Sequence, residues 1–150
     1  MKVKNPGGVG DIGARVTHSV AQAIPTTTVT TLAFDTERWD TASFHDVAVN
    51  NSRLTIPAAG KYLATLNVEF TASAIGARAI YVFLNGATYI AKQTEGGPDG
   101  VNNDVLVAVM VYDLAAGDYI EARCYQTSGG ALSVAKLNAV SPEFSIQRVG

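Results

Sequence analysis

The sequence predicts an all-β domain folded as a two-layer sandwich or barrel. Short runs rich in β-branched and aromatic residues recur along the chain, separated by clusters of Gly, Pro, Asn and Ser. No window carries a helical apolar stripe. About nine or ten strand-length segments follow one another, without the regular helix between strands that a parallel sheet needs. A chain of 150 residues fits one domain. Charged residues make up only 16 % of it, against about 25 % in ordinary globular domains. Much of the surface should therefore be covered, by the two layers themselves and by a subunit interface.

The stretch to Gly13 has Pro6 and glycines at 7, 8, 10 and 13 and shows no periodicity. It reads as a flexible arm, residues 1–13, ahead of a folded domain over 14–150. Ala14–Val20 is the first strand candidate. Thr26–Ala33 follows, a run of Thr and Val introduced by Pro25. Phe34–Phe44 is polar with aromatic anchors, and Phe34 and Trp39 are expected to plug into the core. Asn50-Asn51-Ser52 turns the chain into Arg53–Ile56, and Pro57-Ala58-Ala59-Gly60 turns it again.

Lys61–Phe70 alternates throughout. Tyr62, Ala64, Leu66, Val68 and Phe70 face one way, and Lys61, Thr65, Asn67 and Glu69, with Leu63, face the other. Arg78–Leu84 differs, because Tyr81 and Phe83 make its second face apolar as well. Val105–Tyr112 is apolar on both faces. A strand with two dry faces needs the core on one side and another cover on the other, which in a sandwich points to a sister subunit. Tyr81, Phe83, Val105, Val107, Val109 and Val111 are the expected interface residues. Loops covering a central strand are the blander alternative.

Asn85-Gly86 predicts a tight hairpin between Arg78–Leu84 and Thr88–Lys92. Gly96-Gly97-Pro98-Asp99-Gly100 makes a long exposed loop. Ala115-Ala116-Gly117-Asp118 leads into the strand Tyr119–Gln126, Ser128-Gly129-Gly130 into Leu132–Leu137, and Ser141-Pro142 into Glu143–Val149.

The order Phe34, Trp39, Arg53-Leu54, Gly60-Lys61-Tyr62 and Leu84-Asn85-Gly86 resembles the globular head of complement component 1q, a tumour-necrosis-factor-like jelly roll. Leu114-Ala115-Ala116-Gly117-Asp118-Tyr119-Ile120 and Phe144-Ser145-Ile146 sit in that family's late-strand and final-strand places, and the likeness spans roughly Ala14 to Gly150. Ala64 and Leu66 replace the aromatics of the animal pattern, and no collagen-like stalk precedes the domain. Phe34-Asp35-Thr36-Glu37-Arg38-Trp39-Asp40, Asn50-Asn51-Ser52-Arg53-Leu54-Thr55 and Ser141-Pro142-Glu143-Phe144-Ser145 are more similar to bacterial and bacteriophage relatives. The resemblance implies a two-sheet antiparallel jelly-roll sandwich that assembles as a trimer, its apolar outer faces packed around a threefold axis.

The resemblance also implies a place in a virion. The expected function is a homotrimeric capsid decoration protein that stabilises a bacteriophage head. Its arm, with Lys2, Lys4, Pro6, Gly7 and Gly8, would follow a groove on the shell. The alternative is a trimeric receptor- or glycan-binding head on a tail fibre or spike, reading its ligand through apical residues Gly97, Asp99, Asn102, Asn103 and Asp104. Expected partners are further copies of itself and capsid or tail proteins.

A net charge of −2 gives no pull toward nucleic acid or an anionic membrane. No apolar run approaches the roughly 18–20 residues of a membrane span. The opening residues lack the apolar stretch of a secretory signal, so if the protein ends up outside a cell it is expected to get there by another route, for instance lysis.

No catalytic motif stands out, and the protein is expected not to be an enzyme. Gly-x-Ser-x-Gly is absent, and Cys124 alternates like a core residue. His18 and His45 have no partners at metal spacing, so no metal site is expected. Asp35, Glu37, Asp40 and Asp46 gather around Trp39, as a paired-carboxylate hydrolase would require, but they equally suit a loop that pairs its own charges. No basic patch with interleaved aromatics runs along the chain. No cofactor is expected. Calcium is the one ion left open, because Asp99, Asn102, Asn103 and Asp104 carry oxygen ligands and relatives in the resembled family hold calcium near the apex.

Overall fold

The computed structural model describes residues 10–97 and 99–150. Among them are twelve strands and no helix. In chain order they are β1 (Gly13–Thr17), β2 (Gln22–Ile24), β3 (Thr30–Thr31), β4 (Thr36–Asp40), β5 (Arg53–Thr55) and β6 (Gly60–Phe70). Then come β7 (Ala77–Leu84), β8 (Thr88–Gly96), β9 (Asp104–Leu114), β10 (Tyr119–Gln126), β11 (Leu132–Val134) and β12 (Glu143–Arg148).

Two antiparallel sheets form. Sheet I runs β2-β11-β6-β12-β1-β4, with β9 along the other edge of β6. Sheet II runs β3-β10-β7-β8, with β5 beside β3 on the same edge of β10. The alternation read in β6 is realised: Tyr62, Ala64, Leu66, Val68 and Phe70 are fully buried. They meet Ile80, Val82, Ile120, Ala122 and Cys124 of sheet II in one core. Phe34 stacks on Phe144 at 5.6 Å between ring centres. Tyr62 keeps its hydroxyl satisfied by donating to the Ala58 carbonyl at 2.7 Å.

Several expectations shift. β1 begins at Gly13, inside the stretch assigned to the arm. Only Thr30–Thr31 of the Thr26–Ala33 run pairs as a strand. Thr27 takes a positive φ of 57°, and its N–H donates to the Gln126 carbonyl. The run bends around the end of β10, a tertiary contact outweighing β-propensity. β8 continues past Lys92 to Gly96 because Thr94 and Glu95 pair with Ala79 and Arg78. Trp39 is not a core residue: it is 39 % exposed, on the outer face of sheet I opposite Arg15.

The tight hairpin is formed as the sequence requires. Asn85 and Gly86 have φ of 52° and 68°, the left-handed pair whose twist matches that of the flanking strands.

Candidate functional site

The chemistry expected around Trp39 is structural. Asp40 accepts from the Ala42 and His45 N–H groups, and Asp46 from those of Ala48 and Val49. Glu37 lies 3.1 Å from Nδ1 of His45, whose Nε2 is 3.0 Å from the Asn51 carbonyl. Burial would raise the Asp35 carboxyl, but bonds from Ser19 and Thr36 hold it down at about 2. Ser19 Oγ and the Ser19 N–H both point at this carboxylate, so Ser19, Asp35 and His18 are not arranged as a nucleophile with its base. Cys124 is fully buried, and burial pushes its thiol well above the ordinary range.

The apical residues also serve the loop. Asp99 accepts from the N–H groups of Asn102 and Val101 and from the Asn102 side chain, which lowers its carboxyl. Asn103 bridges the Ala72 N–H and the Glu69 carboxylate. Asp104 is buried, with its Oδ2 3.3 Å from Nε of the fully buried Arg78. Burial raises the Asp104 carboxyl against the pull of Arg78. The other Arg78 nitrogens donate to the carbonyls of Ile75, Ala77 and Ser73, locking the 73–77 bend to the start of β9. Gly97 lies exposed beside these residues on a cavity of about 390 Å³. Gly100 is held at φ 74°, with no room for a Cβ against Ala74. Among the described residues no three His, Cys, Asp or Glu side chains group to hold a metal ion. The arm residues Lys2, Lys4, Pro6, Gly7 and Gly8 lie outside the described residues.

What remains is the two outer faces of the sandwich, and they differ. On sheet I, β9 turns Leu106 and Ala108 into the core and Val105, Val107, Val109 and Val111 outward. The four valines are 44–58 % exposed. The β6 register sets Leu63, Thr65, Asn67 and Glu69 directly beside Val111, Val109, Val107 and Val105, so the aliphatic stripe runs along a row that passes from apolar Leu63 through Thr65 and Asn67 to charged Glu69. Farther across the sheet, Glu143 is only 4 % exposed. Its carboxylate accepts from Arg15 Nε at 2.9 Å and Arg38 Nη2 at 2.6 Å. Arg15 also donates to the Ala139 carbonyl and Arg38 to that of Asn138, so these three charges are spent on one another and on nearby carbonyls.

Sheet II carries rings and cations. The register sets Arg53, Glu121, Phe83 and Tyr89 in one row across β5, β10, β7 and β8. Arg123, Tyr81 and Lys92 form the next row. Tyr81, Phe83 and Tyr89 stand 5.6–5.9 Å apart between ring centres. Arg53 lies 3.9 Å over the Tyr119 ring and Arg123 4.1 Å over Phe83. Glu121, 6 % exposed, sits between the two arginines at 3.4 and 3.0 Å and accepts from Ser52 Oγ. The structure thus divides the six residues expected at one interface: the valines on sheet I, Tyr81 and Phe83 on the opposite side. Residue alternation places each side chain on a face, but which faces coincide depends on pairing between strands far apart in sequence. The ring–cation rows were missed for the same reason, since they interleave across four strands and not along any one.

No protein-family model matches the sequence, and no curated protein matches it. Solved structures do match. Murine APRIL at pH 5.0 superposes with a TM-score of 0.71 at 12 % identity, over 93 % of this chain and 99 % of that one. Murine APRIL at pH 8.5 gives 0.67 at 11 % identity, over 91 % and 98 %. Eiger TNF from S. frugiperda gives 0.65 at 12 % identity, over 93 % of each chain. Likeness at this level of identity speaks for architecture alone, and with the two antiparallel sheets it establishes that this chain has the tumour-necrosis-factor-like jelly-roll fold.

Proposed function

We propose that the protein is a non-enzymatic structural component of a bacteriophage virion, a homotrimer that decorates and stabilises the capsid. The observation that carries the assembly is the stripe Val105, Val107, Val109 and Val111, aliphatic and about half open on a strand whose other side is core. Each valine is already half covered, so sealing it contributes about 1 kcal/mol, repeated at every contact of a closed ring. A head-to-tail ring also leaves no stripe unpaired, which an open chain of copies would. The contact is built on the valines with Leu63 and Thr65 beside them. Tyr81 and Phe83, on the opposite face, fall outside it.

The virion reading rests on the motifs Phe34–Asp40, Asn50–Thr55 and Ser141–Ser145, which on sequence resemble bacterial and bacteriophage relatives. In this reading the arm assigned from the sequence to residues 1–13, with Lys2, Lys4, Pro6, Gly7 and Gly8, supplies the contact with the shell. The non-catalytic role is supported by the carboxylates near Trp39, which are bonded to loop backbone and to His45. Light scattering at micromolar concentration tests the assembly. A mass of three chains is expected, and a stable monomer refutes it. Cryo-electron microscopy of the virion then tests location: density on the capsid supports decoration, and density on the tail overturns it. A recognition head is the second reading, favoured by the ring and cation rows of sheet II.

A further inference from the structure

We propose that the outer face of sheet II is a binding site for an acidic oligosaccharide, a sugar chain bearing carboxylates. The inference goes beyond the structural role above and does not depend on it. Arg53, Arg123 and Lys92 face outward here, and within the two rows they form among the described residues there is one carboxylate, Glu121, buried between the two arginines. The surplus is positive on a chain whose net charge is −2, so the face attracts anions that the rest of the molecule repels. Among the described residues Lys92 pairs with no carboxylate. Its ammonium stands 6.0 and 5.9 Å from the Tyr81 and Tyr89 ring centres, the place where a ligand carboxylate would complete a charged hydrogen bond.

The rings supply the other half of the recognition. Tyr89 is 52 % exposed and packs edge-on against Phe83, giving a rigid apolar shelf on which the C–H face of a sugar ring can lie. The hydroxyls of Tyr81 and Tyr89 bond to no partner among the described residues, and each can donate to or accept from sugar hydroxyls. Single-stranded nucleic acid fits less well, because stacking successive bases needs a run of open ring faces and the half-exposed Tyr89 offers one. Arg53 and Arg123 already cover Tyr119 and Phe83. An acidic peptide would use the positive charge and the hydroxyls, but its backbone has no flat C–H face to cover the Tyr89 shelf.

The test titrates the full chain at physiological salt with polysialic acid and polygalacturonate, and with dextran, poly-L-glutamate and oligo-dT as comparators. One of the two acidic polysaccharides should bind, dextran should not, and Tyr89→Ala and Lys92→Ala should each weaken binding about tenfold while leaving circular dichroism and solution mass unchanged. The proposal is overturned if neither acidic polysaccharide binds, or if either variant binds as the parent does. It is equally overturned if poly-L-glutamate matches the polysaccharides, making the effect charge alone, or if oligo-dT binds more tightly. Solution mass, read in parallel, reports on the trimer separately, so failure of one reading is distinguishable from failure of the other.

Discussion

The two outer faces of this sandwich are made by the same rule and end up with opposite chemistry. Both sheets turn every second side chain away from a shared core, and both place a shielded carboxylate between two arginines: Glu143 on sheet I, Glu121 on sheet II. On sheet I the arginines donate onward to the Asn138 and Ala139 carbonyls and the open surface is aliphatic. On sheet II the arginines lie over Tyr119 and Phe83. An aliphatic stripe has no direction to its attraction and gains only by exclusion of water, which suits a flat partner such as a sister copy. Rings, hydroxyls and unspent cations have direction, which suits a ligand with a pattern of its own.

The largest expected effect breaks the comparison outright. Val109→Asp should take the solution mass from three chains to one, whereas Lys92→Glu on the other face should leave it at three. Light scattering on the two variants, both folded by circular dichroism, decides which face assembles.

Next in size are the arginine pairs. Arg15→Ala with Arg38→Ala strands Glu143 without a cation and releases the 138–139 carbonyls, and should cost about 3–5 kcal/mol in urea unfolding. Arg53→Ala with Arg123→Ala should cost less, about 2 kcal/mol, because Ser52 still donates to Glu121 at 3.0 Å. Equal costs would mean that the two shielded carboxylates do the same work.

A smaller effect belongs to Tyr89→Ala, whose half-exposed ring should contribute only about 1 kcal/mol of stability. That separates its proposed binding role from a folding role.

The smallest lies outside both faces. The Asp35 carboxyl sits at about 2 in the folded chain against an ordinary aspartate value of 3.8. The fold therefore favours the charged form, and its contribution is present above pH 3.8 and lost as pH falls through that window toward 2. Asp35→Asn should flatten the acid limb of a pH–stability curve there and change nothing at pH 7 beyond the lost Ser19 and Thr36 bonds.

Much of the fold was legible because strand alternation is a local property. Tyr62 to Phe70 could be assigned to the core, and Val105 to Val111 to the outside, by counting in twos. The Asn85-Gly86 turn was legible because few residue pairs tolerate two positive φ angles in succession. The Thr26–Ala33 run misled because its conformation answers to the Gln126 carbonyl of a distant strand. Trp39 misled because a large aromatic is usually core, yet β4 is an edge strand whose exposed face carries it.

By itself, then, the sequence determined the class of fold and, in the long alternating strands such as β6 and β9, the side on which each residue lies, because period-two geometry acts within a few residues. Only the tertiary structure decided which sides share a surface. Whether Tyr81 and Phe83 neighbour the valines or Arg53, Arg123 and Lys92 is set by hydrogen-bonded register between segments tens of residues apart. That register is settled by the packing of the whole core, and no local pattern encodes it.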